Sequence, residues 1–177
     1  KSYLYAERDP EKRQAYDREL AQYEAHQRVY LDEAGINNTE DYAYGWCPKG
    51  ERFAAERRGN RTERVSFMAA WHQHQLVAPL TYEGDCNRSV FETWLEEQLL
   101  PALPYGSVLI CDNASFHKGG RIEALIHQAG CHLLSLPPYS PDLNPIEHQW
   151  FVLKNRMRKQ IQSGKPFRQV VDQAFID

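Results

Sequence analysis

Residues 136–150 read Leu-Pro-Pro-Tyr-Ser-Pro-Asp-Leu-Asn-Pro-Ile-Glu-His-Gln-Trp, a proline-punctuated loop that runs into the first turn of a helix. Pro137, Pro138 and Pro141 fix φ and bias the residues before them towards extended backbone, so the loop is stiff. Asn144 suits an N-cap and Pro145 the first helical position, which puts Glu147 third in the helix. On its own this is a capping box, with an acid that also complements the helix dipole. A carboxylate held so firmly can equally be one corner of a metal site. Other acids elsewhere in the chain bear on that choice.

The segment Ser107 to Asp112 (S-V-L-I-C-D) is a short apolar run ending in an acid and followed by Asn113, Ala114, Ser115, Phe116 and His117. Such a run reads as a buried strand, and loops leaving strand ends are where α/β proteins place their sites. Aspartate is depleted inside strands, so Asp112 either begins a turn or serves the site. The pattern recurs at Arg28 to Asp32 (R-V-Y-L-D). Two buried strands ending in Asp32 and Asp112, with a helix presenting Glu147, supply three carboxylates that can converge. Together they repel unless cations neutralise them. An all-oxygen set suits a hard ion such as Mg²⁺ or Mn²⁺. Two such ions about 3.5–4 Å apart are the arrangement that serves phosphodiester chemistry.

The order Asp32, Asp112, Glu147 resembles the DDE catalytic domain of mariner-like transposases, most closely the bacterial insertion-sequence branch. P-P-Y-S-P-D-L-N-P-I-E-H-Q-W surrounds the glutamate and C-D-N-A-S-F-H-K the second aspartate. Thirty-four residues stand between Asp112 and Glu147, the spacing that family uses with a terminal glutamate. The similarity runs from about Tyr30 to Arg158, and its weakest motif is Y-L-D-E-A-G around Asp32.

The resemblance implies an α/β chain with an RNase H-like mixed sheet flanked by helices on both faces. Asp32, Asp112 and Glu147 would be the catalytic, metal-binding residues, holding two Mg²⁺ or Mn²⁺ ions. It further implies cleavage of transposon ends at terminal inverted repeats, joining of the 3′ hydroxyls to target DNA at TA dinucleotides, and a homodimeric active complex. The setting would be the bacterial cytoplasm, acting on the chromosome. Asn113 is expected to support the site and Trp150 to pack beneath it.

The remaining elements follow from periodicity. Tyr42 to Trp46 and Glu63 to Trp71 read as strands joined by a turn at Gly59-Asn60, and Leu76 to Tyr82 as a third before a break at Gly84-Asp85. A helix from Asn87 carries Val90, Phe91, Trp94, Leu95 and Leu99 on one face and ends at Pro101. After the Asp112 strand come a helix from about Gly120 to Ala129, closed by Gly130, and a strand at His132 to Leu136. The final helix buries a stripe of Ile146, Trp150, Leu153, Met157 and Ile161.

The other face of that helix is basic. Lys154, Arg156, Arg158, Lys159, Lys165 and Arg168 occur with no acid between His148 and Val171. A charge run is ordinarily a solvated face, but this one starts just beyond Glu147, so Lys154, Arg156, Arg158 and Lys159 are candidates for DNA-backbone contact. An arginine group from Arg52 to Arg64 is diluted by Glu51, Glu56 and Glu63. His117 and His148 follow two of the acids and read as supporting residues, contacting phosphate or bonding within their loops. His72 and His74 could pair on zinc but lack cysteine or acid support. Glu33 should face away from Asp32, and Asp142 reads as a turn residue.

The chain's 177 residues, 42% of them hydrophobic, suit one domain, and the net charge of −3 argues against a dedicated nucleic-acid binder. Membrane association is not expected, since no apolar run reaches spanning length and no signal peptide is visible. Cys47, Cys86, Cys111 and Cys131 form no Cys-x-x-Cys pair and are expected to be reduced and buried. Asp9-Pro10-Glu11 should cap a helix reaching about Gln27, with Tyr16, Leu20 and Tyr23 as a narrow stripe. Residues 1–27 are expected to be a helix and linker from a DNA-binding domain absent from this chain, and 28–177 the catalytic domain. Two rival readings are an RNase H-like nuclease without strand transfer and an inactive DNA-binding or assembly remnant.

Overall fold

The computed structural model of the chain describes residues 5–40, 46–52, 63–112, 120–161 and 164–176. Five strands form one mixed sheet in the order β3-β2-β1-β4-β5. They are β1 (Arg28–Asn37), β2 (Arg64–His72), β3 (Gln75–Glu83), β4 (Val108–Cys111) and β5 (His132–Ser135). The first three are an antiparallel meander, and β4 and β5 add in parallel to β1. Parallel neighbours need helical crossovers. Helix α2 (Arg88–Trp94), continued by a π-helical turn (Leu95–Leu99) and α3 (Leu100–Ala102), leads into β4, and α4 (Gly120–Gln128) leads into β5. Helices α5 (Ile146–Ile161) and α6 (Phe167–Gln173) follow, and α1 (Pro10–Leu20) precedes the sheet.

Alternation along the central strands sorts these helices onto two faces. Val29 and Leu31 of β1, Met68 and Ala70 of β2, and Leu109 and Cys111 of β4 join one core with Phe91, Trp94, Leu95, Leu99, Ile122 and Ile126. Trp94 is anchored there by donating its indole N–H to the Ala78 carbonyl at 2.7 Å, beside the irregularity between Met68 and Ala70. On the opposite face the cover is divided. Ile36, Val65, Phe67 and Ala69 pack under α5 and α6, whereas Val108, Ile110 and Leu134 pack under Tyr16 of α1. Asp172 of α6 is tied to the sheet, accepting from the Thr81 hydroxyl at 2.7 Å and from Arg168.

Several boundaries differ from expectation. Strand β1 does not stop at Asp32 but continues to Asn37, because its ladder with β2 runs from Tyr30↔Trp71 to Asn37↔Arg64. The parallel partner β4 is what ends, pairing only with Arg28, Val29 and Tyr30. Helix α1 is capped as expected, with Asp9 accepting from the Glu11 and Lys12 amides. It closes at Leu20 rather than Gln27, because the Arg28 guanidinium claims the carbonyls of Leu20 and Tyr23 and turns the chain into a 3₁₀ turn at Ala25–Gln27. The Asn87-capped helix runs one residue beyond Pro101. All four cysteines are free, with Cys111 and Cys131 buried, but Cys47 is exposed rather than buried. The strand expected at Tyr42 to Trp46 and the Gly59-Asn60 turn fall on positions outside the described residues, apart from Trp46, which is exposed coil. Among the described residues no helix is long and apolar enough to cross a membrane.

Candidate active site

The register of β1 on β4 brings the two aspartates together. Tyr30 pairs with Ile110, so two residues further on Asp32 and Asp112 emerge side by side on the divided face. Neighbouring strands lie about 4.7–4.9 Å apart, and β4 has ended at Cys111, which leaves Asp112 exposed at the strand's mouth. Glu147 approaches from the start of α5. All three carboxylates line one cleft of about 500 Å³, walled by the loop from Leu136 to Pro141 and by Tyr5. This cleft is the gap between the α1 core and the α5–α6 core.

Asp32 is the most constrained of the three. Trp150, buried against Phe67 with ring centroids 5.2 Å apart, donates its indole N–H to Asp32 Oδ2 at 2.9 Å. Burial pushes the Asp32 carboxyl up to about 7, helped by the charges of Glu147 and Glu33 and opposed by the Trp150 hydrogen bond. Glu147 is also held above its ordinary range by the loss of water around it. Lys154, two turns along α5, pulls the other way, and Asp112 adds to the rise. Each acid thus feels another's charge. Among the described residues no three His, Cys, Asp or Glu side chains close into a ligand cage. The three acids face one cleft and stand apart within it.

The capping box expected at Asn144 is not formed. Asn144 instead donates its side-chain amide to the Leu31 carbonyl at 3.2 Å, tying the start of α5 to the residue before Asp32. Its Oδ1 is buried with no hydrogen-bond partner among the described residues. The helix start is closed by backbone alone, Glu147 N–H to the Asn144 carbonyl and His148 N–H to that of Pro145, each at 3.2 Å. Regular helix begins at Ile146, so Glu147 is its second residue. Asp142 does more than make a turn. Arg13 of α1 grips it with both guanidinium nitrogens, at 3.0 and 2.7 Å, which holds the Asp142 carboxyl below its usual range.

Among the residues expected to touch DNA, Arg156 and Lys159 are exposed and Lys154 is half-buried near Glu147. Arg158 is not available in the same way: it lies partly buried, bonded to Glu40 at 3.0 Å and to Asn155 at 3.0 Å. Arg168 is likewise engaged by Asp172 and Thr81. His148 is exposed beside Glu147, while Asn113 and His117 lie outside the described residues. His72 donates to the His26 carbonyl at 2.7 Å, and this accounts for it without zinc. Sequence reasoning anticipated Trp150 as packing but not as the donor to Asp32. The signal was present, since a buried indole N–H needs an acceptor. Tyr5 and Tyr139 also line the cleft, and no motif in the sequence marks them for that role.

A family model described as DDE superfamily endonuclease matches residues 27–168. The chain belongs to that family. Among curated proteins it is similar to the Tc1 transposase of Caenorhabditis elegans, 36% identical over 39% of this chain and 25% of that protein. It is also similar to the Tcb1 transposase of Caenorhabditis briggsae, 35% identical over 42% of this chain and 29% of that protein. The matched stretch thus spans little more than a quarter of these relatives. Among solved structures, the Mos1 transposase paired-end complex with a transposon end superposes with a TM-score of 0.70 at 16% identity, covering 99% of this chain and 62% of that one. The Mos1 catalytic domain in a structure with Mn and raltegravir gives 0.65 at 15%, covering 99% and 85%. The fold is the RNase H-like one of that catalytic domain, a mixed five-stranded sheet with helices on both faces.

Proposed function

We propose that the chain is the catalytic part of a metal-dependent DNA transposase of the mariner-like group, and that Asp32, Asp112 and Glu147 are its catalytic residues. The observation that carries the reading is the convergence of these three acids on one cleft, in the DDE order, within a DDE-family fold. The donor set fits a hard divalent cation: it is all-oxygen and mutually repelling, with Asp32 pushed towards neutrality by burial and then by the charges of Glu147 and Glu33. Two Mg²⁺ or Mn²⁺ ions bound there would supply charge neutralisation and activation of an attacking oxygen. The protein's own groups set the stage. Trp150 fixes one oxygen of Asp32, Asn144 ties the Glu147 helix to β1, and Arg13 holds the Asp142 loop.

Cleavage is attack of water on a phosphodiester at the element's end, forming one P–O bond and breaking another to leave a 3′ hydroxyl. Joining is attack of that hydroxyl on target DNA with the same exchange of P–O bonds. Lys154, Arg156 and Lys159 are the backbone contacts in this reading, and Arg158, held by Glu40, is left out. The finer assignments are terminal inverted repeats as the cleaved ends, TA targets, a homodimeric complex and a bacterial insertion-sequence origin with action on the chromosome. Asn113, His117 and His148 belong to it as supporting residues. So does the division into residues 1–27, leading from a DNA-binding domain, and a catalytic domain from 28 onwards. They rest on the resemblance around Asp112 and Glu147, and the curated relatives above are from nematodes.

The test is nicking of supercoiled DNA and transfer of pre-cleaved 3′ ends by the purified chain with Mg²⁺ or Mn²⁺. Both activities should vanish in Asp112→Ala, a loss beyond the roughly 10–100-fold typical of residues one step removed from a metal. Metal-dependent nicking that survives Asp112→Ala unchanged overturns the site. Nicking without any end transfer makes the chain a nuclease.

A further inference from the structure

The cleft has two chemically different halves. One holds the three acids and suits cations and phosphate. The other is built from Leu136, Pro137, Pro138 and Pro141, with the rings of Tyr5 and Tyr139 at its lip. An apolar, aromatic wall does nothing for a phosphate or a metal ion. It suits a flat, uncharged face.

Tyr139 is the most telling residue of that wall. It sits between Pro138 and Ser140 in left-handed backbone, φ +55°, a conformation side chains with a Cβ rarely adopt. Such conformations persist where the surroundings impose them, and they concentrate at working sites. Here the result is a large ring turned outwards, 56% exposed, instead of folded into the core. Tyr5, 55% exposed, lies beside it with ring centroids 6.0 Å apart and planes tilted by 44°. The two rings therefore do not cover one another face to face.

We propose that Tyr139, backed by Tyr5, is a stacking platform for one unpaired nucleobase next to the phosphate being cut. This deepens the transposase reading above and rests on its DNA-cutting site. Bases inside a duplex expose no face, so the platform selects DNA whose end is frayed or whose base has left the stack. Every base has a π face, so the contact carries little sequence preference and adds to whatever recognises the element's end. Tyr139 is a positioning residue: it sets where the strand turns relative to Asp32, Asp112 and Glu147.

The experiment uses the whole chain and a short single-stranded oligonucleotide with 2-aminopurine at its terminus, bright when free and dimmed on an aromatic ring, with Ca²⁺ present to slow cutting. Binding should dim the signal. Tyr139→Asn removes the ring while suiting left-handed backbone, so the fold should be at least as stable by thermal melting. In that variant affinity should fall roughly five- to a hundredfold and the dimming should disappear. Tyr139→Phe should retain both. Native-like dimming in Tyr139→Asn overturns the platform, and so does a Tyr139→Phe that fails as badly as Asn. Asp112→Asn should abolish cutting with Mg²⁺ yet leave the dimming intact. If it leaves cutting intact while Tyr139→Asn loses the dimming, the acid site is wrong and the platform stands. If it abolishes cutting while Tyr139→Asn still dims, the platform is wrong and the acid site stands.

Discussion

The two faces of the sheet are built to different ends. One is covered without interruption by α2, its π turn, α3 and α4, whose side chains meet β1, β2 and β4 in a single core. The other carries two separate cores, α5 and α6 over the antiparallel strands and α1 over the parallel ones. The carboxylates occupy the gap. A continuous core is the cheaper way to bury a sheet, since every break leaves surface wet and polar groups hard to satisfy. The divided face accepts that cost at one point, where β1 outruns β4, and there it holds an aspartate near neutrality and an asparagine oxygen without a partner among the described residues. The continuous core and the candidate site thus lie on opposite faces of the same strands.

This contrast can be broken by mutation, most severely on the continuous face. Trp94→Ala should cost about 3–5 kcal/mol, because it empties a fully buried site and strips the Ala78 carbonyl of its donor, and denaturant unfolding measures it. An effect below about 1 kcal/mol would mean that this face does not carry the fold.

The next effect belongs to the divided face and depends on pH. The folded-state value of Asp32, about 7, lies above its ordinary 3.8, so between these the folded chain binds the extra proton. Without metal, stability should be greatest near pH 4 and fall as pH rises to about 7, with a slope of at most about 1.4 kcal/mol per pH unit from this group. Glu147, also raised, acts in the same direction. Asp32→Asn should flatten the profile, and Trp150→Phe, by removing the donor that favours the charged form, should steepen it. Unfolding midpoints at pH 5 and 7.5 in chelator decide the matter, and a native profile as flat as that of Asp32→Asn sinks it.

The smallest expected effect sharpens the comparison. Arg13→Ala breaks the grip on Asp142 at the protein surface and should cost only about 0.2–1 kcal/mol. Cutting should nevertheless weaken more than stability does, because the lost contact joins α1 to the cleft's wall. Equal losses in both would make the α1 core ordinary packing.

Much of this architecture was legible in the sequence. The apolar runs at Ser107 to Asp112 and Glu63 to Trp71 announced β4 and β2, and the stripe from Ile146 to Met157 announced α5, because period and burial go together. Asp112 and Glu147 stood out through their surroundings. The local pattern at Asp32 reads as a strand end, but β1 continues for five more residues, since an antiparallel partner far along the chain prolongs it. The Asn144 side chain departs from its local pattern for a similar reason: a local cap competes with a distant carbonyl, and only the fold brings Leu31 within reach. Local signals point to these acids as candidates, while their arrangement depends on register and on contacts over a hundred residues apart.

One consequence of the long β1–β2 ladder concerns parity. Asp32 and Glu33 are adjacent acids on opposite sides of β1, and a slip of one residue would exchange them, putting a longer carboxylate where Trp150 now waits. Eight paired positions, from Tyr30↔Trp71 to Asn37↔Arg64, forbid the slip, because it would also turn Ile36 out of one core and Leu31 out of the other. The ladder works as an even-or-odd check on the site. A single inserted or deleted residue within it would leave a chain with every acid still present and the wrong one facing the cleft.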